Sequence, residues 1–249
     1  MTALDTLTIA TGLAVALGAG LLSGLSGFGA GLMLSAYMTP ILGAKLTIPA
    51  LAVATALTNA GRLWSFRGGV DARIAMLVLA GSMPGAWLGA ALLAEMSDVA
   101  ADLVLAAFLI LSVPLRRLIA RRTARLPSLA VGLGAATVGA ASGITTGAGI
   151  LILSLLLAAG LAGPALLATD AVVSLILNLG RSAAFGSVGL IDGVLLSFGI
   201  ALGITTIPGS RIAAWIVRRT DIRVHTLFLE ALVVAVGLFV GGRTLFRLV

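Results

Sequence analysis

Asn59-Ala60-Gly61-Arg62 followed by Phe66 recurs as Asn178-Leu179-Gly180-Arg181 followed by Phe185, and Ser23-Gly24 recurs as Ser142-Gly143, all at one offset (178 − 59 = 142 − 23 = 119). One pattern carried twice at a fixed spacing marks an internal duplication. The fold has to be assembled from two similar halves. Each copy sets an arginine inside one apolar stretch and a Ser/Gly pair inside another, which points to a paired ion site more than to helix stacking alone.

The solvent for those halves follows from composition. With 60% hydrophobic and 10% charged residues and a mean hydropathy of +1.19, the chain belongs in a bilayer. A net charge of +7 could suggest nucleic acid. The arginines, however, sit in short loops beside apolar segments, as at Arg116, Arg117, Arg121, Arg122 and Arg125, where loop orientation explains them better. No nucleic-acid partner is expected. Zero cysteines exclude disulfides, thiolate metal sites and iron–sulfur centres, and the single histidine, His225, leaves no metal cluster or haem-ligand pair. No cofactor is expected. The first apolar stretch carries Asp5 and lacks a basic leader, so it reads as part of the mature protein.

Each half holds five apolar segments: 7–22, 29–42, 46–66, 74–93 and 99–115 in a first repeat over 1–125, and 129–144, 147–161, 165–185, 190–217 and 224–245 in a second over 126–249. The second segment of each half is short for a span of roughly 20 residues, so the first two form either two crossings or a broken, re-entrant hairpin. By the positive-inside rule the arginine-rich join 116–125 is cytoplasmic, and so are Arg67 with Arg73 and Arg218, Arg219 with Arg223. Glu95 with Asp98 and the nearly uncharged 186–189 then lie outside. Corresponding loops face opposite ways, which predicts an all-α polytopic membrane protein of two inverted-topology repeats. Both termini come out external, against which Arg243 and Arg247 weigh mildly.

Two glycine-rich stretches, 20–31 and 139–149, interrupt the apolar pattern. An interior helical glycine costs roughly 1 kcal/mol against alanine, and irregular backbone in lipid survives only when buried or lining a cavity. Helices restarting near Gly29 and near Gly147 would offer N–H groups and a positive dipole end at mid-membrane. Ser23, Gly24, Ser26 and Gly27 of the first copy, and Ser142, Gly143, Thr145 and Thr146 of the second, then surround an anion cradle. Close helix packing through small residues four apart is the competing explanation and needs no ligand. Gly27-Phe28-Gly29-Ala30-Gly31 is no dinucleotide fingerprint, because no strand precedes it and no acidic residue follows about 20 positions on.

Asn59 and Arg62 share a helical face, as do Asn178 and Arg181. Each arginine either snorkels to the headgroups or, as the asparagine one turn deeper favours, turns into the bundle and offers its planar fork to an oxyanion. Asp170 and Glu230 are the acids deepest in apolar segments. A carboxyl there is costly to ionise and can carry a coupled proton, or it rests against an arginine or a helix N-terminus. Asp71 and Asp192, at loop–helix junctions, read as caps. Pro84-Gly85 and Pro208-Gly209 read as kinks in corresponding fourth segments.

At these residues the chain resembles the TauE/SafE sulfite exporter family, also grouped as toluenesulfonate-uptake permeases. The likeness lies in the paired Ser-Gly-x-x-Gly-rich stretches from Ser23 and Ser142, the Asn59 and Asn178 segments, and overall size and hydropathy, and it covers essentially the whole chain. Where the family often has a glycine triplet, this chain reads Gly29-Ala30-Gly31 and Gly147-Ala148-Gly149. The resemblance implies membrane carriage of sulfite, sulfonates or related small oxyanions, with export and uptake both represented.

The expected function is a secondary transporter of a small anion, sulfite or an organosulfonate, working by alternating access with protons as coupling ion in a cell membrane, the bacterial inner membrane. A passive anion channel is the alternative. An enzyme is not expected, since no His-Glu-x-x-His motif and no Ser/His/Asp set can be drawn from one histidine. Assembly as a homo-oligomer stays open.

Overall fold

The computed structural model describes residues 6–26, 29–65, 69–120, 125–217 and 222–246. Ten helices follow one another, with no strand among the described residues: α1 (Thr6–Ser26), α2 (Gly29–Leu42), α3 (Ala44–Ser65), α4 (Ala72–Glu95), α5 (Asp98–Ala120), α6 (Ser128–Ile144), α7 (Gly149–Ala158), α8 (Gly163–Ser187), α9 (Gly193–Val217) and α10 (Ile222–Phe246). Helices are the outcome lipid demands, because each one satisfies its own backbone. α4, α8 and residues Asp98–Ile119 of α5 are long and apolar enough to cross a membrane. α7, with 10 residues, rises only roughly 15 Å, about half the hydrocarbon thickness.

The ten apolar segments read from sequence correspond one to one with these helices, and the differences lie at their ends. α1 runs on through Ser23 and Gly24 to Ser26. α7 starts at Gly149 rather than Gly147, because Gly147 takes a left-handed φ of +85° that no right-handed helix contains. It stops at Ala158, where Gly160 (φ +96°) turns the chain and the Leu161 N–H bonds the Leu156 carbonyl at 3.1 Å. α5 continues past Pro114 through Arg116 to Ala120. Pro84 and Pro208 lie inside helices α4 and α9. Asp71 caps α4, accepting from Ile74 N at 3.0 Å, and Asp192 accepts from Leu195 N at 2.7 Å at the start of α9, both as read from sequence.

Packing exchanges partners between the halves. α1 rests on α9 and α6 on α4; α3 touches α9 and α8 touches α4; α3 meets α8 and α5 meets α10. One core cluster joins Ala16, Leu34, Leu51 and Leu202 from α1, α2, α3 and α9. A second joins Val131, Leu156, Val173 and Val78 from α6, α7, α8 and α4, the corresponding set. The close approaches repeat as well. A side chain at Gly20 would meet the Thr206 carbonyl at 2.1 Å, and one at Gly139 would meet the Ser82 carbonyl at 2.1 Å. Gly85 lies against Ala136 of α6, and Gly209 against Leu17 of α1, in the same manner. Missing side chains at these positions let backbones touch, which substitutes for hydrophobic drive where lipid is as apolar as leucine.

Candidate functional site

α3 packs against α8, and each brings the same pair. Arg62 Nη1 donates to Asn59 Oδ1 at 2.9 Å, and Arg181 Nη1 donates to Asn178 Oδ1 at 2.9 Å. Neither arginine snorkels: Arg62 is 5% and Arg181 7% exposed. The asparagine one turn earlier fixes each guanidinium within the protein, a spacing that i, i+3 neighbours on a helix provide.

Beyond that shared bond the two sites part. Arg62 Nη2 donates to Asp170 Oδ2 at 2.8 Å, a buried ion pair between α3 and α8. Ser174, one turn on from Asp170, donates to its Oδ1 at 3.4 Å. The first-half position matching Asp170 is Leu51 (170 − 119 = 51). Arg181 accordingly has no carboxylate partner among the described residues. Its Nη2 donates to the Thr145 carbonyl at 3.0 Å, its guanidinium stands 5.7 Å from the Phe185 ring centroid, and its Nε is buried with no hydrogen-bond partner. A buried cation whose charge nothing cancels is costly, and a bound anion removes that cost.

Arg181 borders a polar cavity of about 60 Å³ between the halves. That volume admits water or a small ion, a single water needing roughly 10–15 Å³ of such space. The wall is built in matched pairs: Ser23 with Ser142, Asn59 with Asn178, and Thr55 with Ser174. Gly31 of α2 and Gly147, Ala148 and Gly149 at the start of α7 complete the ends. Here a glycine is required: at Gly147 the φ of +85° is left-handed, and an added Cβ would stand 2.4 Å from Leu32 Cδ2.

The other residues singled out in the sequence fall elsewhere. Arg62 and Asp170 stand behind the wall, joined to it through Asn59 and Ser174. Gly143 faces α4, where a Cβ would meet the Ala86 carbonyl at 2.5 Å, so its small size serves packing. Thr145 gives its hydroxyl to the Ala141 carbonyl at 2.6 Å and its own carbonyl to Arg181. Thr146 is buried with its hydroxyl unpartnered. Gly24 and Ser26 lie on α1, Gly29 opens α2 and Glu230 lies on α10, but the surroundings of these four lie outside the described residues, as Gly27 does entirely.

Three hydroxyl residues of the wall were not anticipated from sequence, Thr55, Thr58 and Ser174. For two of them a signal existed: Thr55 and Ser174 stand four positions before the paired asparagines, at the same offset (174 − 55 = 119). Asp102 was also passed over. It accepts from Ala44 N, the first residue of α3, at 2.7 Å, and so caps a helix to which it is distant in sequence.

A family model described as Sulfite exporter TauE/SafE matches residues 12–240. No curated protein and no solved structure matches the chain.

Proposed function

The chain belongs to the TauE/SafE sulfite exporter family, and from that premise we propose that it is a secondary transporter which binds a small oxyanion, sulfite or an organosulfonate, at Arg181. Family membership makes it a membrane anion exporter in kind; the residues, the mechanism and the substrate are the proposal. One observation carries it: Arg181 is buried, lacks a carboxylate partner among the described residues, keeps Nε unpaired and borders a polar cavity lined from both halves. A planar guanidinium with a donor to spare fits an oxyanion face. Asn59, Asn178, Ser23 and Ser142 supply neutral polar contacts, and the start of α7 at Gly147–Gly149 adds a helix N-terminus.

The exchange of helices between two similar halves suits alternating access, in which inverted repeats swap conformations around a fixed site. Protons are the proposed coupling ion, with Asp170 and Glu230 as the candidate carriers and a bacterial inner membrane as the setting. Flux of sulfite into proteoliposomes, with and without an imposed proton gradient, tests the reading. Saturable flux that follows the gradient and disappears in Arg181→Gln is expected. Flux that neither saturates nor responds to the gradient would identify a passive channel instead.

A further inference from the structure

Three ionisable groups meet the cavity wall among the described contacts. Arg181 is part of it, while Arg62 and Asp170 reach it through Asn59 and Ser174. Their charges do not simply add to two cations and one anion acting independently, because Arg62 and Asp170 are joined at 2.8 Å and cancel. One uncompensated positive charge remains, on Arg181.

We infer that the site selects a compact oxyanion of single negative charge, and that Asp170 sets this valence in its ionised form by silencing Arg62, which protonation of Asp170 would release. The inference rests on the proposed anion site at Arg181 and deepens it. A monoanion neutralises the buried cluster, whereas a dianion leaves one unpaired charge in a small buried space, where ions without partners are strongly disfavoured. Duplication alone would have given two equivalent arginines and a doubly charged site. The second half carries Asp170 where the first has Leu51, and that single departure from symmetry halves the charge.

Methanesulfonate and sulfate, both fully ionised near neutral pH, are similar tetrahedra that differ by one charge, so they isolate valence from shape. Binding of each to the purified full-length protein in lipid nanodiscs is measured by calorimetry. The wild type should favour methanesulfonate at least tenfold, and Asp170→Asn, which frees Arg62, should move the ratio at least tenfold toward sulfate. Since Asp170→Asn strands a buried guanidinium and can fail to fold, the double variant Arg62→Gln/Asp170→Asn is measured beside it. It removes both charges together and should keep the wild-type preference whatever happens to absolute affinity. Equal wild-type affinity for the two anions, an unchanged ratio in folded Asp170→Asn, or a ratio shift in the double variant overturns the valence rule. Arg181→Gln separates that failure from a failure of the site itself. Loss of binding in Arg181→Gln with equal wild-type affinities sinks only the rule, and full binding of both anions by Arg181→Gln sinks the site together with it.

Discussion

Arg181 donates from Nη2 to the main-chain carbonyl of Thr145 at 3.0 Å, across 36 positions of sequence. The bond ties α8 to the residue where α6 ends and the chain begins its turn into α7. The guanidinium that borders the cavity therefore also holds one of the cavity's edges in place. Arg62, engaged with Asp170, has a different task.

Lysine substitutions should expose that difference. A lysine at 181 keeps the charge but cannot reach Asn178 Oδ1 and the Thr145 carbonyl together while presenting a planar face to an anion. Arg181→Lys should weaken anion binding by about tenfold or more, about 1.4 kcal/mol. Arg62→Lys retains a cation opposite Asp170 and should cost about threefold or less by the same relation. Calorimetric titration of both variants with sulfite checks this, and equal losses would contradict it.

Gly147 and Gly31 both border the cavity but should tolerate change very differently. At Gly147 the φ of +85° and the nearness of Leu32 Cδ2, 2.4 Å from an added Cβ, leave no place for a side chain. Gly147→Val should abolish transport while the protein still inserts. A Cβ at Gly31 meets only Thr55 Cγ2, at 3.5 Å, an ordinary contact. Gly31→Ala should keep most of its flux, and loss of flux comparable with that of Gly147→Val would show that the space around Gly31 is tighter than its contacts.

Glycines at the helix contacts should affect stability rather than binding. An added methyl at Gly139 would meet the Ser82 carbonyl at 2.1 Å, and one at Gly143 the Ala86 carbonyl at 2.5 Å. Gly139→Ala and Gly143→Ala should each destabilise by about 1–3 kcal/mol, the usual cost of overpacking. Thermal denaturation in detergent measures this. The affinity for sulfite per folded molecule should hold, and a selective loss of affinity at Gly143 would return that residue to the anion site.

Inverted topology makes a prediction about sidedness that the cysteine-free chain is suited to test. Arg73, exposed at the start of α4, and Ser187, exposed at the end of α8, flank the loops that join the third and fourth helices of the first and the second half. Arg73→Cys should react with an impermeant thiol reagent from the cytoplasmic side and Ser187→Cys from the external side. Labelling of both from one side would rule out inversion.

How much of this was legible in the sequence depends on whether a residue's role is local or set by its neighbours. The helices were legible because a bilayer demands apolar runs, and the caps at Asp71 and Asp192 because a cap acts within three residues of itself. Burial of the paired asparagines and arginines could be read from their spacing on one face. What the sequence could not separate was Arg62 from Arg181, because their difference rests on Asp170, which is 108 positions from Arg62 in the chain and only 2.8 Å from it in space. The contact of Gly143 with α4 was hidden for the same reason, since the backbone it packs against lies far away in sequence. The start of α7 was off by two residues because the left-handed Gly147 intervenes, whereas that of α2 was read at Gly29, where it lies.

While the ribosome is still making the second half, α1 has α2 to pack against but lacks its chief neighbour, α9, which begins only at Gly193. The glycine flank of α1, with Gly20 shaped for contact with Thr206, must wait in the bilayer through most of synthesis. α6 meets no such delay, since α4 is already inserted when it emerges. The two similar halves thus reach their packing along different routes. Early segments of such a chain depend on whatever shields them, lipid or insertion machinery, until the last quarter arrives, and a nascent chain halted before Gly193 leaves that flank open to the wrong helix.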